Sequence, residues 1–220
     1  MPIKVSSGQN LIMKVVFVSD THNKLSKIDV PDGDLLIHAG DFTGNGSMSE
    51  IEAFNRDMVN LPHKYKVVVA GNHDFGFQTY PKEARAALDS SITYLEDSGV
   101  TIEGLRIWGS PWQPEFFDWA FNLPRNSMQM KEHWEAIPAD TDILVTHGPP
   151  YGIMDRVPRG VLVGCEMLLD KVLSLNLKVH VFGHIHCGYG VEKRGKTTFV
   201  NASNLDEDYM PANPPIVLEI

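Results

Sequence analysis

Cysteine is nearly missing from this chain of 220 residues, which has only Cys165 and Cys187. Two thiols cannot build a disulfide framework, so a reducing, cytoplasmic setting is the expectation. Cys187 directly follows His186, and a small buried side chain is the simpler reading of it. Long apolar runs are absent too: none approaches the ~20 residues a membrane-spanning helix needs. Met1 to Asn10 lacks the apolar stretch of a secretory signal. Residues 1–12 read as an N-terminal extension, and 13–220 as a single domain with no linker, repeat or low-complexity tract. Positive charge is scarce, with 19 Lys and Arg against 28 Asp and Glu and a formal net charge of −9. That argues against a broad basic surface gripping a nucleic-acid polymer. It leaves small phosphate substrates open, because two bound dications can outweigh the charge around them.

Short apolar runs are plentiful, and most stop at a polar tip. Lys14–Val18 and Leu35–Ala39 read as buried strands, ending at Ser19-Asp20-Thr21-His22 and Gly40-Asp41. Ser49-Glu50-Ile51-Glu52 matches a capping box, followed by a helix with Ile51, Phe54 and Met58 on one face and Pro62 at its end. Lys66–Ala70 is a third strand, halting at Gly71-Asn72-His73-Asp74. Pro81 begins a helix to Leu88, and Val100–Trp108 folds as a hairpin about Gly104. A short helix is expected near Met128–Trp134. Asp142–Thr146 and Lys178–Phe182 are strands leading to His147 and to Gly183-His184-Ile185-His186. Between them Cys165–Leu175 forms a helix with Leu168, Leu169, Val172 and Leu173 inward. A hairpin about Arg194-Gly195 and a strand from Ile216 to Leu218 close the chain. The pattern predicts an α/β (α+β) fold of packed mixed sheets with helices outside.

The polar tips carry the chemistry. Asp20 and His22 stand on alternate residues of one loop, where both can turn to one ion. Asp41 suits a bridging carboxylate, and Asn72 offers a neutral oxygen. His147, His184 and His186 add nitrogens that favour Mn, Fe, Zn or Co over Mg or Ca. Two cations ~3.5–4 Å apart can hold a hydroxide and clamp a phosphoryl group. His73 lies beside a ligand and is free to protonate a leaving oxygen.

Five motifs in this order, D-x-H, G-D, G-N-H-D, T-H-G and G-H-x-H, resemble the calcineurin-like metallophosphoesterase superfamily. The resemblance implies a sandwich of two mixed β-sheets flanked by helices (αββα). It also implies one divalent ion on Asp20, His22, Asp41 and His186, and a second on Asp41, Asn72, His147 and His184, with His73 as the acid. Protein Ser/Thr phosphatases carry Asp and Arg soon after the bridging Asp, and Phe42-Thr43-Gly44-Asn45-Gly46 has neither. The chain is most similar to the MPPED-type metallophosphoesterase-domain family. Gly40-Asp41-Phe42-Thr43, Gly109-Ser110-Pro111-Trp112, Phe121-Asn122-Leu123-Pro124-Arg125, Thr146-His147-Gly148-Pro149-Pro150 and Asn201-Ala202-Ser203 carry that likeness. Some vertebrate members have Gly where His184 stands; this chain keeps the His. The resemblance therefore implies a phosphodiesterase with two transition-metal ions, Mn foremost, acting on small phosphodiesters such as cyclic nucleotides. A nuclease or phosphomonoesterase of the same superfamily, or a nucleotide-binding module with little turnover, are the alternatives.

Other residues read more plainly. His38, His63, His133 and His180 lack a motif and are expected in the core, a loop or a polar helix face. Asp74 either orients His73 or caps the following turn. Trp112, Phe116, Phe117, Trp119 and Phe121 either pack over a sheet edge or form a rim that stacks a nucleobase, with Arg125 near the phosphate or base. The acidic run Asp206-Glu207-Asp208 reads as a solvated loop.

Overall fold

The computed structural model describes residues 12–220, so residues 1–11 of the expected N-terminal extension lie outside the described residues. The chain begins with β1 (Lys14–Val18), β2 (Leu35–His38), α1 (Met48–Asn60) and β3 (Tyr65–Val69). Two short helices follow, α2 (Phe75–Thr79) and α3 (Pro81–Ala86), then β4 (Ile92–Leu95). The hairpin is β5 (Ser98–Ile102) with β6 (Leu105–Ser110), and a two-stranded ribbon joins β7 (Gln113–Pro114) to β8 (Asn122–Leu123). The second half comprises α4 (Met128–Glu135), β9 (Ile143–Thr146), α5 (Glu166–Ser174), β10 (Val179–Phe182), β11 (Gly190–Arg194), β12 (Thr197–Asn201) and β13 (Ile216–Glu219).

Two mixed sheets stack face to face. One runs β13-β1-β2-β3-β4 and the other β11-β12-β10-β9-β6-β5. In the first, β1 to β4 are parallel and β13 lies antiparallel to β1. Parallel strands are covered on both faces, which is why their sequences are continuous apolar runs rather than alternating ones. Val15, Phe17, Ile37, Val67 and Val69 face the second sheet and meet Ile107, Val145, Val181 and Val200. Their neighbours Val16, Val18, Leu36 and Val68 face outward onto Ile51, Phe54 and Met58 of α1. On the far side Leu144, Phe182 and Phe199 pack on Trp134 of α4 and on Leu168 and Val172 of α5. The layers are helix, sheet, sheet, helix, as expected.

Several local expectations shift. The capping box is Ser47 with Glu50, two residues earlier than the sequence match, because Gly46 at φ +69° turns the chain into Ser47. Leu173 is exposed: α5 presents Leu168 and Val172 inward and turns Leu173 to solvent. Cys187 is exposed rather than buried, while Cys165 is buried as the N-cap of α5, its sulfur accepting from Leu168 N and Trp134 Nε1. Helix α2 and strand β4 have no counterpart in the sequence reading. No helix among the described residues is long and apolar enough to cross a membrane.

Candidate metal centre

The carboxyl ends of β1, β2, β3, β9 and β10 converge on one side of the sandwich, where parallel strands leave their loops free for chemistry. Asp20 and His22 follow β1, Asp41 follows β2, Asn72 and His73 follow β3, His147 follows β9, and His184 and His186 follow β10. Backbone hydrogen bonds lace the loops together. Asp20 N donates to Gly40 O at 2.9 Å, His22 N to Asp41 O at 3.0 Å, and Gly183 N to His147 O at 2.9 Å.

Close approach dictates two glycines. A Cβ on Gly71 would overlap the Asp41 carboxylate and the His147 ring, and one on Gly183 would overlap the Asp20 carboxylate and the Ser19 hydroxyl. Strain also gathers here. Asp20 (φ +53°), His22 (+38°), Asp41 (+55°) and His184 (+66°) adopt the left-handed region, which costs non-glycine residues on the order of 1–3 kcal/mol each. Only a surrounding network that over-determines the backbone holds four such residues together.

Three overlapping groups of donor atoms lie within 4.8 Å of one another: Asp20, His22 and His186; His22, Asp41 and His73; and Asp41, His147 and His184. Asp41 belongs to two of them. Its Oδ2 is 3.8 Å from His22 Nε2 and 3.3 Å from His147 Nε2, while His147 Nε2 is 2.9 Å from Asn72 Oδ1. Asp20 Oδ1 is 3.5 Å from His186 Nε2. Such separations suit donors sharing an ion at bonds of ~2.0–2.2 Å. His22 Nε2 and Asn72 Nδ2 are buried without any hydrogen-bond partner among the described residues. A buried imidazole nitrogen that bonds to no protein group, yet points at a carboxylate, has the chemistry of a metal ligand. The donor set of carboxylate, amide and imidazole, with no thiolate in any group, fits divalent cations.

Backbone carbonyls set the histidine tautomers. His147 Nδ1 donates to Ala39 O at 2.9 Å and His186 Nδ1 to Asp206 O at 2.7 Å, so each turns Nε2 inward. His73 Nδ1 donates to Gly44 O at 2.9 Å, and its backbone N–H donates to Asp41 Oδ1 at 2.7 Å. Asp20 accepts from the His184 N–H at 3.0 Å and from the Ser203 hydroxyl at 2.8 Å. Burial works against charge here, yet the Asp41 carboxylate lifts His147 to about 9, and the hydrogen bond to Asp20 lifts His186 to about 9. His184 is pushed down to about 4 by burial, with the neighbouring His147 adding to it. Burial raises the Asp20 and Asp41 carboxyls, but their histidine partners override it and hold both below the usual carboxylate range.

Asp74 performs neither role considered for it. Its carboxylate accepts from Asp41 N, Gly71 N, Thr43 N and the Thr43 hydroxyl, tying the loop after β2 to the loop after β3. The orienting group for His73 is Gly44 O. His38 and His180 are buried against hydroxyls, Nε2 of each lying 2.9 Å from Thr21 and Thr146 Oγ1. His63 is buried in its loop, and His133 stacks on Trp112 with Nδ1 on Asp97.

A cavity of about 320 Å³ opens beside His184 and His186, lined by Phe116, Trp119, Tyr209, Gln113 and Arg125 among others. Trp119 walls the cavity on the side of His73 and His184, its ring 5.0 Å from the first and 6.5 Å from the second. Trp112 stands apart from this cavity, its indole N–H on Asp97 and its ring against Phe121. Arg125 lines the cavity, but its guanidinium donates to Gly164 O, Val163 O and Glu166 and so braces the wall. The acidic run is more than solvated loop: Asp206 O holds His186, and Glu207 reaches the cavity. Tyr209, whose ring sits 4.8 Å from His22 and 5.3 Å from His186, escaped the sequence reading because no motif surrounds it.

Comparison with known proteins places the chain in a family. The model of the calcineurin-like phosphoesterase family matches residues 13–188. Human metallophosphoesterase domain-containing protein 1 is 45% identical, the match covering 94% of this chain and 71% of that protein. The UPF0046 protein K07C11.7 of Caenorhabditis elegans is 42% identical over 94% of this chain and 75% of its own length. The crystal structure of TT1561 of Thermus thermophilus superposes with a TM-score of 0.59 at 14% identity, covering 94% of this chain and 99% of that one. A further crystal structure reaches a TM-score of 0.70 at 17% identity, covering 95% and 99%. Such distant structures bear on the fold alone. With the family model matching residues 13–188 and the human relative 45% identical over 94% of this chain, this chain belongs to the calcineurin-like phosphoesterase family.

Proposed function

We propose that the protein is a phosphodiesterase for small, nucleotide-like esters such as cyclic nucleotides, using two divalent transition-metal ions, Mn foremost. Asp20, His22, Asp41 and His186 would hold one ion, and Asp41, Asn72, His147 and His184 the other. Cations bound there supply Lewis acidity at phosphorus and water of lowered pKa. The observation that carries the substrate class is the cavity: about 320 Å³, walled by Trp119, Phe116 and Tyr209, and opening on His184 and His186. Its size suits a small molecule. A net charge of −9 gives no basic track for a polymer.

His73 is the group for the leaving oxygen. Gly44 O accepts the hydrogen bond from Nδ1–H, which leaves Nε2 as the nitrogen free to deliver a proton to the substrate. Water adds its oxygen to phosphorus and sheds a proton, the ester P–O bond breaks, and the proton on Nε2 passes to the departing oxygen. Asn72 Nδ2, buried and unpartnered, is available to donate to a phosphoryl oxygen.

Hydrolysis of a series of aryl and alkyl phosphodiesters by metal-loaded wild type and His73→Ala tests this reading. The loss in the variant should grow from below about tenfold for nitrophenolate to 10²-fold or more for an alkoxide, since general acids contribute ~10²–10⁴. An equal effect across the series removes His73 from that role.

A further inference from the structure

Gln113 sits on β7, held to β8 by the ribbon's pairing and by its own N–H donating to Phe121 O at 3.1 Å. The residue is 2% exposed. The amide orientation follows from its neighbour. Asn122 Nδ2 donates to the carbonyls of Phe116 and Phe117 at 3.1 and 3.0 Å, so Asn122 Oδ1 is the acceptor that meets Gln113 Nε2 at 3.3 Å. Gln113 Oε1 is left buried with no donor. Among the described residues lining the cavity, it is the only buried side-chain acceptor in that state.

The position of this oxygen gives it a use. Gly148 also lines the cavity, and the place a Gly148 side chain would fill has only two atoms within 4 Å: Gln113 Cβ at 3.3 Å and Gln113 Oε1 at 3.7 Å. Oε1 therefore lies just beneath the cavity lining at Gly148, in a cavity whose metal side carries the rings of Trp119 and Tyr209. Arg125 is committed to Gly164, Val163 and Glu166, and the carboxyl-bearing residues of the lining, Glu115 and Glu207, are exposed to water. A buried acceptor without a donor costs ~1–3 kcal/mol, and a ligand that brings the donor recovers it.

We infer that Gln113 is a specificity residue, its Oε1 accepting a hydrogen bond from an amino or ring N–H of a nucleobase lying against Trp119. The inference rests on the phosphodiesterase reading and narrows it to esters whose planar group carries a donor. A base with none leaves Oε1 unpaired, and sites built to pair a polar group reject partners that lack it.

The test compares the cyclic phosphates of adenosine, guanosine and cytidine with that of purine riboside, whose base has no N–H, on metal-loaded protein. Wild type should prefer the best of the three over the purine ester by about tenfold or more in kcat/KM. Gln113→Met, similar in length and without the acceptor, should reduce that preference to about twofold or less. Gly148→Ala, which fills the space before Oε1, is the second variant and should reduce it too. Equal kcat/KM for all four esters in wild type, or an undiminished preference in Gln113→Met, overturns the inference while leaving phosphodiester hydrolysis intact. Failure to hydrolyse any of the four, or bis(4-nitrophenyl) phosphate, strikes the phosphodiesterase reading instead. Calorimetric binding of the corresponding nucleoside monophosphates then decides, tighter binding of a donor-bearing base supporting the role of Gln113 and equal binding refuting it.

Discussion

Asp74 Oδ2 accepts the backbone N–H of Asp41 at 2.9 Å, so the carboxylate shared by two donor groups hangs from a carboxylate that never enters them. The same oxygen takes Gly71 N at 2.7 Å, and Oδ1 takes Thr43 N at 2.9 Å and the Thr43 hydroxyl at 2.7 Å. Asp74→Asn keeps the shape but puts an amide N–H₂ where an acceptor is needed. Urea unfolding of the metal-free variant should show a loss on the order of 2 kcal/mol or more. Thr43→Val, which keeps the backbone bond but removes the hydroxyl that meets Asp74 and accepts from Gly46 N, should cost about 1–2 kcal/mol.

Metal uptake should release protons. His147 and His186 are both lifted to about 9, so at pH 7 the metal-free protein holds both imidazoles protonated, whereas a ligand must be neutral. Calorimetry in buffers of different ionisation enthalpy should give about two protons released per chain at pH 7, with affinity rising toward pH 9. The stability consequence has the same origin. A folded-state value above the ordinary 6.5 stabilises fully below pH 6.5, and that stabilisation fades as pH climbs through 9. The melting temperature of metal-free protein should therefore fall over that range, and proton release near zero would contradict the pairing.

Acid sensitivity should trace in part to His180. Burial alone pushes it down to about 3, and its Nδ1 has no partner. The unfolded chain binds a proton there below about pH 6.5 that the folded chain refuses until about pH 3, so stability falls as pH drops through this window. His180→Leu should flatten the slope of unfolding free energy against pH between 4 and 6 by up to ~1.4 kcal/mol per pH unit. An unchanged slope would mean that His180 titrates freely.

Gly183→Ala should be disruptive beyond its size. The added methyl meets both the Asp20 carboxylate and the Ser19 hydroxyl. Asp20 also accepts from the His184 N–H and from Ser203, so the displacement spreads to the loop carrying His184 and His186. A loss of several kcal/mol in unfolding free energy, or insoluble protein, is the expected outcome. A variant as stable as wild type would show that the loops have slack.

Most strands are readable because parallel, doubly covered strands must be continuously apolar, and each stops where a polar motif begins. β4 escapes because Thr93 and Tyr94 interrupt its apolar run, and α2 because Phe75–Thr79 is a single turn and a half with Gly76 inside it. Leu173 is misplaced by helical spacing alone, which cannot say where a covering element stops. The residues of the donor groups are legible as motifs. Their support is not: Asp74 acts through backbone N–H groups of a loop far away in sequence, and Asp206 through its own carbonyl. Neither leaves a side-chain pattern. Trp119 and Tyr209 line the cavity while Trp112 packs on His133, because loop geometry rather than residue type decides which aromatic faces the site.

Everything turns on whether the strand ends hold two cations, and counting metal atoms answers that directly. Elemental analysis of wild type and of Asp41→Asn, after reconstitution with excess Mn²⁺ and removal of free ion, should find about two ions per chain in the first and fewer than one in the second. Wild type with none, or a variant that keeps both, would contradict the account.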